Sequence, residues 1–269
     1  MVDAYFWTYD AQALVELSHL TYFVAMHRRR YITKGRESIP GWFERGDAEL
    51  FSAIDVAQRS AGIVGDILEI GCFQGSSAIL LGYLRRANER LVVCDLFQDV
   101  TPSLDEFHLR QNSYAGLSRE SFEANYLKFH EKLPEIFAQP STTLSGEDLA
   151  RTFRIIHVDG SHDYEIVRSD LLLAKSLLAP GGFVIFDDII TLHAPGVTAA
   201  VWEGVIHDEL IPVYQTQKLY GTWCHPLEVK IPKEFTQFTH DVCGHTMAHL
   251  EYPAARRSLL TEVLHRVRS

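Results

Sequence analysis

Two segments of the chain end apolar runs in clusters of carboxylates: His157-Val158-Asp159-Gly160-Ser161-His162-Asp163-Tyr164, and Ala179-Pro180-Gly181-Gly182-Phe183-Val184-Ile185-Phe186-Asp187-Asp188. In an open parallel sheet the carboxyl ends of the strands border the ligand crevice, so Asp159, Asp187 and Asp188 are expected to converge there. Three carboxylates at one edge repel unless protonated or neutralised. A hard divalent cation such as Mg2+, held by oxygen ligands, resolves that conflict. His162, three residues past Asp159, is near enough to face the same crevice. An imidazole with an ordinary pKa of about 6.5 can take a proton from a hydroxyl whose acidity a metal has raised. The plainer reading makes Asp187 and Asp188 surface turn residues and Asp159 a cap for the helix that begins at Tyr164. Tyr164 and Asp163 are candidates for orienting His162.

A second constellation lies upstream. Asp66-Ile67-Leu68-Glu69-Ile70-Gly71-Cys72-Phe73-Gln74-Gly75-Ser76-Ser77 puts an acid near the end of a short apolar strand and two glycines in the turn that follows. Glycines there let the backbone approach a ligand closely. The turn lacks the full G-x-G-x-x-G set and no lysine follows its second glycine, which excludes a P-loop and disfavours a dinucleotide site. S-adenosylmethionine, with a sulfonium, an amino-acid end and a ribose but no phosphate, suits such a turn better. A site for it wants carboxylates, which Glu69 and Asp95 supply; an acid closing the second strand can accept from both ribose hydroxyls. Without a cofactor, the same residues read as a tight strand-to-helix turn with Glu69 as a helix N-terminal charge.

Elements that would position these residues are visible in the pattern. Ile67 to Ile70, Leu91 to Cys94, Ile155 to Val158 and Phe183 to Phe186 read as short buried strands, and Ser77 to Arg86 and Tyr164 to Leu178 as helices. This alternation implies a doubly wound, mostly parallel α/β sheet. Pro212 to Gln217 and Leu219 to Cys224 suit a final antiparallel pair. Residues 1–60 read as an aromatic-rich helical lid, with apolar spacing around Leu14, Leu17 and Tyr22, then around Leu50, Ile54 and Ala57, and a loop near Gly35 to Gly41. Residues 61–225 read as the core, residues 98–141 as an inserted cover whose second half (Arg119 to Leu133) is helical, and residues 226–269 as a C-terminal extension.

Taken together, the Glu69-to-Ser77 turn, Asp95, Asp159-Gly-Ser-His162-Asp-Tyr164 and Leu178-Ala-Pro-Gly-Gly-Phe-Val-Ile-Phe-Asp187-Asp188 resemble the class I S-adenosylmethionine-dependent methyltransferases. They look most like the metal-dependent O-methyltransferases of macrolide sugars (macrocin and mycinamicin type) and, more distantly, of catechols. The resemblance covers about residues 65–190. It implies a Rossmann-like, seven-stranded sheet whose last hairpin inserts antiparallel, and methyl transfer to a hydroxyl of a small, sugar-bearing or phenolic metabolite of the kind met in antibiotic biosynthesis. It also implies that Glu69, Gly71, Gly75 and Ser76 hold the methionine part of the cofactor, Asp95 its ribose, and that Ser145 and Glu147 lie near the adenine. Asp159, Asp187 and Asp188 match metal ligands, and His162 the general base. The turn carries Cys72 and Phe73 where many relatives have a glycine. Hydroxylase-type or other chemistry on the same sheet, and a non-catalytic binding protein, are the competing readings.

The remaining features bound the function. The chain has 269 residues, 46% hydrophobic and 22% charged, which suits one folded α/β domain with additions at its ends. Its net charge of -10, with Arg28 to Arg30 as its longest basic run, argues against nucleic acid as a partner. No run approaches the ~18 apolar residues of a bilayer-spanning helix, and Met1 to Ala4 do not open a secretory leader, so a cytoplasmic protein is expected. The four cysteines show no paired spacing, and Cys72 has no partner that would make it a nucleophile. His240, Cys243, His245 and His249 match no established zinc spacing and read as packing or surface residues in a helix or loop. The aromatic N-terminus is compatible with self-association.

Overall fold

The computed structural model describes residues 23–97, 117–149 and 151–253. β1 (Asp66–Ile70), β2 (Leu91–Cys94) and β4 (Phe153–Val158) are buried at every position, as strands covered on both faces must be. Parallel ladders tie β1 to β2 and β4, β2 to β3 (Glu135–Phe137), and β4 to β5 (Leu178–Phe186). β7 (Leu219–Thr222) runs antiparallel between β5 and β6 (Ile211–Gln215). The order β3-β2-β1-β4-β5-β7-β6 carries the antiparallel final hairpin that the sequence implied.

The seven-strand expectation is nevertheless corrected to nine strands among the described residues. β8 (Thr236–Val242) and β9 (His245–Glu251) form a further hairpin, and β9 joins β6 in parallel through Tyr214 and Gln215. Its turn residues, Cys243 and Gly244, both have positive φ (51° and 80°), the backbone a tight two-residue hairpin demands. Met247, Ala248 and Leu250 are its buried contribution. Of the residues expected in a helix or loop here, His240, His245 and His249 lie in strands and Cys243 in the turn between them.

Side chains alternate between two cores. Ile67, Val93, Ile155, Phe183 and Ile185 pack under α1 (Arg45–Ser60) and α2 (Ser76–Leu84). Leu68, Val92, Ile156, Val184 and Phe186 pack against α5 (Tyr164–Leu177) and α6 (Pro195–His207). Between β2 and β4 the chain also forms α3 (Arg119–Tyr126) and the short α4 (Gly146–Leu149). α3 stops seven residues before the expected Leu133, because the chain beyond it folds back and His130 bonds the Ile79 carbonyl at 2.8 Å. The end of the expected insertion supplies β3. The expected helix around Leu14 to Tyr22 and the first half of the inserted cover lie outside the described residues. No helix among the described residues is long and apolar enough to cross a membrane.

Candidate active site

The residue following each central parallel strand continues the ladder with its own N–H. Gly71 donates to Cys94 O (2.8 Å), Asp95 to Phe137 O (3.1 Å), Asp159 to Ile70 O (2.8 Å) and Asp187 to Val158 O (3.0 Å). The four therefore stand side by side along the carboxyl edge of the sheet. Gly71 has φ of 79°, and a Cβ there would lie 2.1 Å from the Asp159 carbonyl oxygen, so no other residue fits between the two strand ends.

The glycine turn is shaped by Asp95. Its Oδ2 accepts the N–H groups of Cys72 (2.7 Å) and Phe73 (3.1 Å), and its Oδ1 accepts that of Phe97 (2.9 Å). A ribose at Asp95 would share oxygens that already fold the turn. Phe73, with φ of 49°, adopts the left-handed backbone that suits the glycine common in the resembled family, and its ring stacks on Trp42 at 5.3 Å. Gly75, with φ of 94°, opens α2 at Ser76. Burial, then the nearby Asp95 carboxylate, pushes the Cys72 thiol up, which keeps it from acting as a nucleophile.

Glu69 is fully buried beside His157, its register partner on β4. Its Oε1 meets His157 Nδ1 at 2.9 Å, while its Oε2 has no hydrogen-bond partner among the described residues. A buried carboxylate oxygen without a donor is costly, and the cofactor's ammonium group is a donor of the right charge. Gly71, Gly75 and Ser76 stand at the same strand end and turn. Ser145 and Glu147 are exposed around the start of α4, on the connection after β3.

The three aspartates gather at the edge but divide into two sets. Asp159 and Asp187 offer ligand atoms within 4.8 Å of each other and of His157; Asp188 does so with His162 and His193. Asp187 Oδ1 accepts the Asp188 N–H at 2.8 Å, and its Oδ2 accepts from the ammonium of Lys218. Burial opposes ionisation of Asp187, but the Lys218 ammonium and then His157 outweigh it and hold its pKa below the ordinary carboxylate range. Asp159 is exposed as a residue, yet desolvation of its carboxyl group, then the Asp187 carboxylate, pushes its pKa up. Asp188 has φ of 58°, a conformation uncommon away from glycine, asparagine and aspartate. Its Oδ2 meets His162 Nε2 at 2.9 Å and its Oδ1 accepts from Thr191 Oγ1 at 2.7 Å. Burial works against its charge, yet these two hydrogen bonds prevail and bring its pKa down to about 2.

Several expectations are revised here. Asp163, not Asp159, caps the helix, accepting from the N–H groups of Glu165 (3.0 Å) and Ile166 (3.4 Å), and Tyr164 donates to Glu203. Neither orients His162; Asp188 does. A groove of about 670 Å3 between α1 and residues 227–232 is lined by none of these edge residues. His240 and His249 are diagonal neighbours across the β8–β9 hairpin with ring centroids 6.4 Å apart. With Cys243 and His245 they form no ligand-distance set among the described residues. Sequence reasoning missed Lys218, His193 and the Glu69–His157 pair. Only the last left a signal, a histidine inside an otherwise apolar strand in register with an acid.

Residues 68–189 match a protein family described as "Methyltransferase domain". No curated protein matches the chain. Among solved structures, the O-methyltransferase NovP is 20% identical with a TM-score of 0.50, the alignment covering 66% of this chain and 81% of that one. The calicheamicin methyltransferase CalS11 is 16% identical with a TM-score of 0.51, over 83% of this chain and 98% of that one. At such identities the two show a shared fold. Residues 68–189 thus match a methyltransferase domain, and the chain shares the fold of these two structures.

Proposed function

We propose that the protein transfers a methyl group from S-adenosylmethionine to a hydroxyl of a small metabolite, a natural-product sugar or phenol, with a divalent cation such as Mg2+ bound at the acidic edge. The observation that carries this reading is His162 Nε2, 2.9 Å from Asp188 Oδ2, beside Asp159 and Asp187 and on the same strand edge as the Glu69 turn. An imidazole paired with a carboxylate is what deprotonating a hydroxyl requires. Asp159, Asp187 and Asp188 would hold the ion, an all-oxygen set that suits a hard cation. Bound there, the ion would make a coordinated acceptor hydroxyl more acidic.

The chain's own residues do the rest. Glu69 anchors the amino-acid end of the cofactor, the turn from Gly71 to Ser76 lets the backbone close on it, and Asp95 accepts from its ribose. Asp188 fixes the His162 ring. With Nε2 turned to Asp188, Nδ1 is the atom left to take the proton. The cofactor, when bound, would supply the methyl group, and the strand edge would hold the deprotonated hydroxyl beside it. The name of NovP supports a hydroxyl as acceptor, and the name of CalS11 a natural product.

The test is formation of S-adenosylhomocysteine from a panel of hydroxylated metabolites, with and without EDTA. Turnover that EDTA abolishes and Mg2+ restores is expected. Cofactor binding with no turnover on any hydroxylated acceptor overturns the reading in favour of a binding protein.

A further inference from the structure

Lys218 is 1% exposed in the turn between β6 and β7. The turn is pinned by Thr216, whose N–H donates to Lys218 O at 2.8 Å and whose Oγ1 accepts the Lys218 N–H at 3.1 Å. The side chain passes the Phe43 ring, 5.8 Å from Nζ to the centroid, and its ammonium donates to Asp187 Oδ2. Asp47 of α1 and Asp159 of the acidic edge add negative field. Asp47 is itself fixed, its Oδ1 accepting from Tyr220 Oη (2.5 Å) and Thr216 Oγ1 (2.7 Å). The buried ammonium is held in an ion pair with Asp187, with two further carboxylates nearby. The acidic edge thus contains a permanent cation of its own.

That cation bears on any second one. It takes Asp187 Oδ2 while the Asp188 N–H takes Oδ1, so a metal ion would share Asp187 with two donors. It also repels the ion, and because Lys218 itself is buried its charge is less screened than one in water. We propose that Lys218 is a positioning residue that sets the divalent-ion affinity of the site: it fixes Asp187, offsets part of the acidic charge, and leaves an ion held weakly until acceptor oxygens complete its coordination. The proposal rests on the reading of Asp159, Asp187 and Asp188 as metal ligands.

The experiment is a Mn2+ titration of the full chain without acceptor, followed by the paramagnetic resonance of free Mn2+. Wild type is compared with Lys218→Met, Lys218→Gln and Lys218→Arg, and calorimetry with S-adenosylmethionine is run on each. Both neutral variants should bind Mn2+ at least about tenfold more tightly than wild type, Lys218→Arg within about threefold of it, and all four should bind the cofactor alike. Unchanged or weaker Mn2+ binding in the neutral variants overturns the proposal. Absence of Mn2+ binding in all four also overturns it, and with it the metal part of the functional reading; methyl transfer is judged separately by the S-adenosylhomocysteine assay. Should neither neutral variant fold, Asp47→Asn leaves the Lys218 charge less compensated and must weaken Mn2+ binding several-fold. No change there overturns the proposal.

Discussion

Asp188 and His162 form the pair on which the proposed proton transfer turns, and the partner contacts of Asp188 make the roles separable. The hydrogen bonds that bring Asp188 down to about 2 keep it ionised throughout the working range, so it orients and does not titrate. His162→Ala should therefore cost about 10²–10⁴ in kcat while leaving S-adenosylmethionine affinity within about twofold. Turnover rates and calorimetry check both halves; full activity in the variant at neutral pH would remove His162 from the mechanism. Asp187→Ala should likewise abolish turnover with cofactor affinity nearly intact, because Asp187 lies outside the Glu69–Ser76 turn.

A different carboxylate governs stability. Asp170 on α5 is 1% exposed, and burial, which the Ser141 hydroxyl only partly offsets, pushes its pKa up to about 6. Because the folded value lies above the unfolded one, the native state binds a proton that the unfolded state does not between about pH 4 and 6, and stability rises as the pH falls through that window. Asp170→Asn should be more stable than wild type by about 2–3 kcal/mol at pH 8, with the difference vanishing near pH 4. Urea unfolding at the two pH values measures it.

Among the elements, legibility followed burial. β1, β2, β4 and β5 read as near-continuous apolar runs because helices cover both their faces, and the acids that close them mark the crevice edge in the residue order itself. β8 is the opposite case: six of its seven residues are exposed, so it offers no apolar run, and the histidines and cysteine around it drew attention to metal spacing instead. Lys218 was illegible for another reason. A lone lysine between two strands looks like a solvated turn, and nothing local tells that Asp187, 31 positions earlier, and Asp47 on α1 come to surround it. Glu69 and His157, 88 positions apart, meet only through strand register.

The turn between β1 and α2 gives the prediction proper to this scale. Gly71→Ala would drive a Cβ into the Asp159 carbonyl, at a positive φ that alanine also resists. Either the β1 and β4 ends separate or the turn changes path. Both disturb the amides that Asp95 gathers, so cofactor affinity should fall by at least about tenfold, with a stability loss of about 1–3 kcal/mol. Equal cofactor affinity in a folded variant would mean that the turn does not carry the cofactor.

At the scale of the molecule, the acidic edge depends on how α1 is seated, since α1 delivers Asp47 to Lys218 and Phe51 to the ring of His157, 5.2 Å away. That seat is partly ionic. Arg154 of β4, fully buried, donates to both carboxylate oxygens of Glu89 at 2.9 Å, to Gln58 Oε1 at 2.8 Å and to Leu84 O at 2.9 Å, and pairs with Asp55 at 3.1 Å. Arg28, Arg59 and Arg86 close around the same Asp55 from the surface side. The network joins α1, the end of α2 and the sheet across as many as 99 positions of sequence, from Asp55 to Arg154, which is why no local pattern announces it. Buried ion pairs are poor sources of net stability but expensive to break singly, because the remaining partner keeps its desolvation cost without its compensation. Arg154→Met should therefore cost about 3–5 kcal/mol in urea unfolding, by leaving Glu89 and Asp55 buried with fewer donors. Adding Glu89→Leu to it should return part of that loss, a non-additivity expected of side chains that touch. In both variants the folded fraction should bind S-adenosylmethionine normally, because the glycine turn proposed to hold it is fixed by Asp95 and not by this network. If the double variant is less stable than Arg154→Met by the full cost of a second independent lesion, the network is not a coupled unit and α1 is seated by its apolar face alone.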